Sequence, residues 1–186
     1  QWQAAQVWSA EPAHRHEPRL LPELISRHAQ QQPDAIAVQC AGDSLSYAEL
    51  ERQANRLAQC LIAHGAGPEV VIGVALPRSL EMLVSFLAVL KSGAAYVPLD
   101  IDYPPERLAY MIEDSRMALL LTQTSLRATL PAPHGVLRLE IDQLDRSLYS
   151  DAAPVCDVPE QSLAYLVYTS RSTGRPKDEA ITQEPL

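Results

Sequence analysis

The sequence is short of several things, and each shortage removes a class of protein. No run of about 18 apolar residues occurs in it, so a membrane-spanning helix is not expected. Positive charge is scarce: 15 Lys and Arg stand against 23 Asp and Glu, giving a formal net charge of −8. A surface of that sign repels phosphate backbones and anionic lipid, so neither nucleic acid nor a membrane is an expected partner. There are 3 cysteines, Cys40, Cys60 and Cys156, odd in number and far apart. That spacing suits neither a disulfide framework nor a metal site, and reduced thiols in the cytoplasm are the expectation. The opening QWQAAQVWSAEPAHRHEPR lacks a basic segment followed by an apolar one, so no secretory signal is expected there. Glycine, with 7 residues against 15 prolines, is sparse enough to point to many fixed turns.

What is present fits an ordinary globular chain. At 186 residues it makes one domain or a little more, with 47% hydrophobic and 20% charged residues. A chain of this size can bury roughly 70% of its unfolded surface, so a real core is possible. Residues 1–19 have no periodicity and read as an interdomain linker. Trp2 and Trp8 could anchor that linker or pack locally. His14 and His16, without further ligands nearby, read as solvated.

From residue 20 the chain becomes periodic. Leu20 to Gln32 reads as a helix with Leu21, Leu24, Ile25 and His28 inward, stopped by Pro33. Ala35–Gln39 and Ser44–Tyr47 read as a hairpin around Gly42-Asp43. Ser46 and Glu49 form a capping box for a helix carrying Leu50, Ala54, Leu57, Leu61 and Ile62 on one face. Val70–Leu76 is a continuous apolar strand. A helix capped by Ser79 follows, with Met82, Leu83, Phe86, Leu87, Val89 and Leu90 inward, and then the strand Ala94–Leu99. Asp100 and Asp102 flank the end of that strand, where they read as turn residues before Pro104-Pro105. Pro105 opens a helix to about Ser115, and Ala118–Thr122 is the next strand. Two consecutive strand–helix–strand units predict a parallel sheet with helices on its faces. Val136–Ile141 reads as a further strand and Leu144–Pro159 as a surface connection.

The stretch that carries chemistry is Leu163 to Lys177, LAYLVYTSRSTGRPK. Its first half is apolar on both sides of a period-two pattern, as in a buried strand of an α/β sheet. Its second half is rich in hydroxyls, with Gly174 and Lys177. Hydroxyls, backbone N–H groups and a lysine in a tight turn after a buried strand form an anion cradle. The common nucleotide loop needs Gly-Lys followed by Ser or Thr, and here Pro176 separates glycine from lysine.

This stretch resembles the phosphate-loop motif TSGSTGxPKG of adenylate-forming enzymes, in particular adenylation domains of nonribosomal peptide synthetases. LSYAEL at Leu45–Leu50 and LKSGAAYVPLD at Leu90–Asp100 match the same family in the same order. The resemblance covers the chain to about Ala180. It implies the N-terminal part of the family's α/β core over residues 20–186, preceded by a linker of the kind that follows a condensation domain. It implies that Thr169, Ser170, Ser172, Thr173, Gly174 and Lys177 hold ATP phosphates with Mg2+. It also implies an amino acid as substrate and the phosphopantetheine of a downstream carrier protein as acceptor. The family's amino-acid pocket, adenine contact, ribose-binding aspartate and C-terminal lysine lie beyond this stretch, which is expected to be truncated just after the loop and inactive alone. Arg171, Asp178 and Glu179 depart from the family pattern. They leave a non-catalytic remnant beside a condensation domain as one alternative, and an acyl-CoA ligase portion is another.

Overall fold

The structure, a computed structural model, describes residues 20–131, 134–156, 158–159, 161–169 and 177–183; the side chains of Lys177 and Asp178 are outside that description. The proposed linker, with Trp2, Trp8, His14 and His16, therefore lies outside the described residues. So do Ser170, Arg171, Ser172, Thr173 and Gly174.

Helix α1 spans Leu21–Gln31, with Pro22 in its first turn. Strands β1 (Ile36–Cys40) and β2 (Asp43–Ser46) pair antiparallel as a small hairpin. The turn between them needs left-handed backbone, which Gly42 supplies at φ 95°. Helix α2 (Tyr47–Ala63) starts on the predicted capping box: the Glu49 N–H donates to Ser46 Oγ at 3.2 Å, and the Ser46 N–H donates to Glu49 Oε2 at 2.9 Å. Then follow β3 (Val71–Val74), α3 (Leu80–Lys91), β4 (Ala95–Pro98), α4 (Pro105–Asp114), β5 (Leu119–Thr122) and β6 (Leu137–Glu140). Strands β7 (Leu163–Thr169) and β8 (Lys177–Thr182) complete the described chain.

The main sheet has the order β6-β5-β3-β4-β7-β8. The first five of these strands run parallel, and β8 alone is antiparallel, on β7. The three strands expected side by side are therefore neighbours, with β3 between β4 and β5. Helices cover both faces. On one face Ile72, Val74, Leu119 and Leu121 pack against Leu57, Leu61, Val84 and Ala88 of α2 and α3. On the other, Val97, Leu120, Leu166 and Tyr168 pack against Leu108, Met111 and Ile112 of α4. Gly73 points to the α4 side, where a Cβ would come 2.5 Å from Met117 Sδ and 2.9 Å from Leu120 Cδ1. A side chain there would displace the packed core.

Several inward assignments need correcting. Leu83 is 37% exposed and looks away from the sheet, while Val84, Ser85 and Ala88 face it. An almost wholly apolar helix leaves its facing ambiguous in sequence, and packing decides it. Leu21 and Leu24 of α1 are also exposed; the helix contacts α2 through residues such as Ile25, and His28 stacks on Tyr47 at 5.4 Å. Asp178 and Glu179 lie in strand β8.

Helices α1, α2 and α3 are tied together by a largely buried network. Lys91 Nζ donates to Glu51 Oε1 at 2.8 Å and to Ser26 Oγ at 3.0 Å, and Ser26 Oγ donates to Glu51 Oε1 at 2.7 Å. The Lys91 side chain is only 4% exposed. Its ammonium is stable there because a carboxylate shares the site. The connection before β7 is fastened to α2, where Asn55 Nδ2 donates to the Asp151 carbonyl at 2.8 Å.

Candidate functional site

The site begins with strand β7, which is alternately buried and half-buried along its length. Ala164, Leu166 and Tyr168 face α4. Tyr168 Oη donates to Asp114 Oδ2 at 3.0 Å, fixing the strand end to the C-terminal turn of α4. Leu163, Tyr165, Val167 and Thr169 take the opposite face, since side chains alternate along a strand. There Tyr165 stacks on Tyr96 at 5.3 Å, and Tyr96 stacks on Phe86 of α3 at 4.5 Å. Burial, and then the neighbouring Tyr165, pushes the Tyr96 phenol above its ordinary pKa.

Thr169 is thus the last residue of a parallel strand and lies at the carboxyl edge of the sheet. The register pairs it with Lys177, the first residue of β8. Of the predicted phosphate contacts, the structure brings the two ends of the stretch, Thr169 and Lys177, together as backbone partners. The four between them fall outside the described residues. Glu179 pairs with Val167 and is exposed.

A cavity of about 610 Å³ opens beside the end of β7. Its wall is mostly apolar, drawn from the carboxyl ends of β3, β4 and β7 with Phe86 of α3 and Met111 of α4. Its polar groups are Arg78, Asp100, Asp102, Tyr103 and Tyr168. Asp100 keeps the turn role expected of it: its Oδ1 accepts the Asp102 N–H at 3.0 Å, and its carbonyl accepts the Tyr103 N–H at 3.0 Å. The Arg107 guanidinium lies 4.0 Å over the Tyr103 ring, closing that side.

Arg78 was not singled out by sequence reasoning, although Pro77-Arg78 marks a turn at the end of an apolar strand. Its carbonyl accepts from the Cys40 thiol at 3.8 Å. Among the described residues its guanidinium makes no ion pair and no hydrogen bond. No cluster of three or more His, Cys, Asp or Glu placed to hold a metal occurs among the described residues. No helix among them is long and apolar enough to cross a membrane.

Residues 25–185 match the family described as AMP-binding enzyme. The chain is 42% identical over 173 residues to a dimodular nonribosomal peptide synthase of Bacillus subtilis (strain 168), covering 88% of this chain and 7% of that protein. It is 42% identical over 171 residues to novobiocin biosynthesis protein H of Streptomyces niveus, covering 87% of this chain and 28% of the relative. Among solved structures, the nonribosomal peptide synthetase FmoA3 bound to alpha-methyl-L-serine-AMP superposes with a TM-score of 0.82 at 32% identity, over 94% of this chain and 19% of that one. The N-terminal subdomain of Klebsiella oxytoca NpsA shares the fold, with a TM-score of 0.79 at 22% identity over 90% of this chain and 43% of that one. The chain therefore spans a minor part of each protein it resembles.

Proposed function

The chain belongs to the AMP-binding enzyme family, and from that premise we propose that it is the part of a nonribosomal peptide synthetase adenylation domain that grips the nucleotide phosphates. The supporting observation is the placement of Thr169 and Lys177. A hydroxyl-rich stretch leaves the carboxyl end of a parallel strand, and its far end returns to pair with that strand. Ligands of open α/β sheets bind at this edge.

The residues suit the group. Thr169, Ser170, Ser172 and Thr173 offer hydroxyl donors, Gly174 gives backbone freedom, and Lys177 offers a point charge. ATP, when bound, supplies the phosphoanhydride whose cleavage activates the amino-acid carboxyl. The chain's own part is to hold the phosphates in register and offset their charge. Magnesium would arrive with the nucleotide. The same reading gives an amino acid as substrate, residues 1–19 as the linker from a preceding condensation domain, a downstream carrier protein with its phosphopantetheine, and the cytoplasm as the compartment. Residues 20–186 then form the N-terminal portion of the adenylation domain, and its remaining groups come from elsewhere in the synthetase.

One observation favours a weaker binder. Glu179 is exposed on β8, two residues past Lys177. A carboxylate about 5 Å from a phosphate charge costs about 3 kcal/mol at an effective dielectric near 20, and solvent lowers that. Calorimetric titration of the complete adenylation domain with Mg-ATP tests both points. Lys177→Ala is expected to weaken binding about tenfold or more. Replacing Arg171, Asp178 and Glu179 by Gly, Gly and Val is expected to strengthen it by about tenfold to a hundredfold. Unchanged affinity in Lys177→Ala would make the stretch a structural turn and the chain a non-catalytic remnant.

A further inference from the structure

We propose that Arg78 is an anion-binding residue of the cavity at the ends of β3, β4 and β7, and that it receives the phosphate of a phosphate ester. Helix α3 leaves β3 to cover one face of the sheet, and α4 leaves the adjacent β4 to cover the other. Adjacent strands whose connections depart to opposite faces leave a crevice outside their carboxyl ends, and ligands of open α/β sheets bind in such crevices. The cavity lies there, and about 610 Å³ is the size of a small-molecule site.

Among the described residues, Arg78 is the one basic residue that lines the cavity. The nearest acid in sequence on α3 is Glu81, in the first turn of that helix. Glu81 is taken: Arg146 Nη2 donates to its Oε2 at 2.6 Å. Asp100 and Asp102 share the cavity but form no ion pair with Arg78. Asp100 is held in its turn by the Asp102 N–H. The cavity wall therefore includes, at the β3 end, an arginine whose guanidinium has no partner among the described residues, while the carboxylates of Asp100 and Asp102 lie beyond β4.

Thr169 lies on the α3 face of β7, and Val167, next to it on that face, lines the cavity together with Arg78. An anion held by Arg78 therefore sits beside the entrance to the hydroxyl-rich stretch. A planar guanidinium is well shaped to grip a phosphate through two parallel hydrogen bonds. Val74, Leu76, Met82, Phe86 and Val167 make this part of the wall apolar, which suits an ester with a neutral body. Two phosphate esters could supply this chemistry, the nucleotide or the phosphopantetheine arm of a carrier protein. This choice of esters rests on the adenylation reading.

The test uses the complete adenylation domain with Arg78→Ala, Arg78→Lys and Lys177→Ala. Calorimetry measures Mg-ATP affinity. A second titration measures the affinity for carrier protein with and without its phosphopantetheine arm. Arg78→Ala is expected to weaken one of the two ligands about tenfold, with Arg78→Lys recovering part of the loss. Weaker Mg-ATP identifies the nucleotide. Weaker binding of only the phosphopantetheine-bearing carrier identifies the arm. If Arg78→Ala leaves both unchanged while Lys177→Ala weakens Mg-ATP, this proposal fails and the adenylation reading stands. If neither substitution changes anything, both fail. The exposed, unpaired side chain makes an unchanged melting temperature the expected folding control.

Discussion

Strands β5 and β7 are close to equally apolar in sequence, LLLT against LAYLVYT, yet they are buried differently. Every residue of β5 is buried. Only alternate residues of β7 are, and the rest are half-covered. The difference lies in the neighbours. β5 sits between β3 and β6, with α2 and α3 on one face and α4 on the other. β7 rests on α4 through Leu166 and Tyr168, but its opposite face is closed mainly by the stack of Tyr165, Tyr96 and Phe86. An apolar strand can thus either hold the sheet together or bring a reactive segment to its edge. Hydrophobicity alone does not separate the two.

Stability measurements can break that comparison. Leu120→Ala, at a fully buried β5 position, is expected to cost about 3 kcal/mol through lost burial and a residual cavity. Val167→Ala, on the half-covered face of β7, is expected to cost about 1 kcal/mol or less. Urea midpoints at constant slope report both, and equal losses would mean that β7 carries as much load as β5. A second test asks whether the load extends beyond the sheet. Glu51→Gln leaves the Lys91 ammonium buried without its counter-charge, and about 3 kcal/mol of destabilisation is expected. The double variant Glu51→Leu with Lys91→Met should recover most of it, because an apolar pair of similar volume needs no compensation. If the double variant is no better than the single one, the network holds the helices through its hydrogen bonds instead.

The smallest effect calibrates the surface. Hydrogen bonds from the Ser46 backbone and then the Ser46 side chain hold the Glu49 carboxyl below its ordinary pKa of 4.5. A carboxyl depressed in the folded state stabilises above its unfolded pKa, and that contribution is lost as pH falls through the folded value. Glu49→Gln should therefore lower stability slightly at neutral pH and flatten its fall in acid, read from melting temperatures between about pH 3 and pH 7. A steeper acid fall in the variant would reverse the assignment.

The parallel core was legible because the runs at Val71–Val74, Ala95–Pro98 and Leu119–Thr122 alternate with capped helices, and both serine caps form as expected. The burial of Lys91 was not legible. A lysine in a last helical turn reads as a surface charge, and its partner Glu51 stands forty positions earlier, on another helix. Strand β8 was missed for a related reason: KDEAIT has no apolar run, and it is a strand because β7 offers it a partner. The hydroxyl-rich stretch stands out in the sequence by its own hydroxyls, glycine and lysine. The cavity with Arg78 could not, since β3, β4, β7 and two helices each contribute to it.

The pairing of β4 with β7 also sets an order of events during synthesis. Tyr96 meets Tyr165 across that junction. β4 therefore leaves the ribosome with one edge unpartnered while about seventy more residues are made, a wait of about 3–14 s at ordinary translation rates. The α/β layers around β3 and β5 can assemble in that interval. The hydroxyl-rich stretch follows directly on the strand that closes the open edge, so β4 gains its second neighbour just before that stretch emerges.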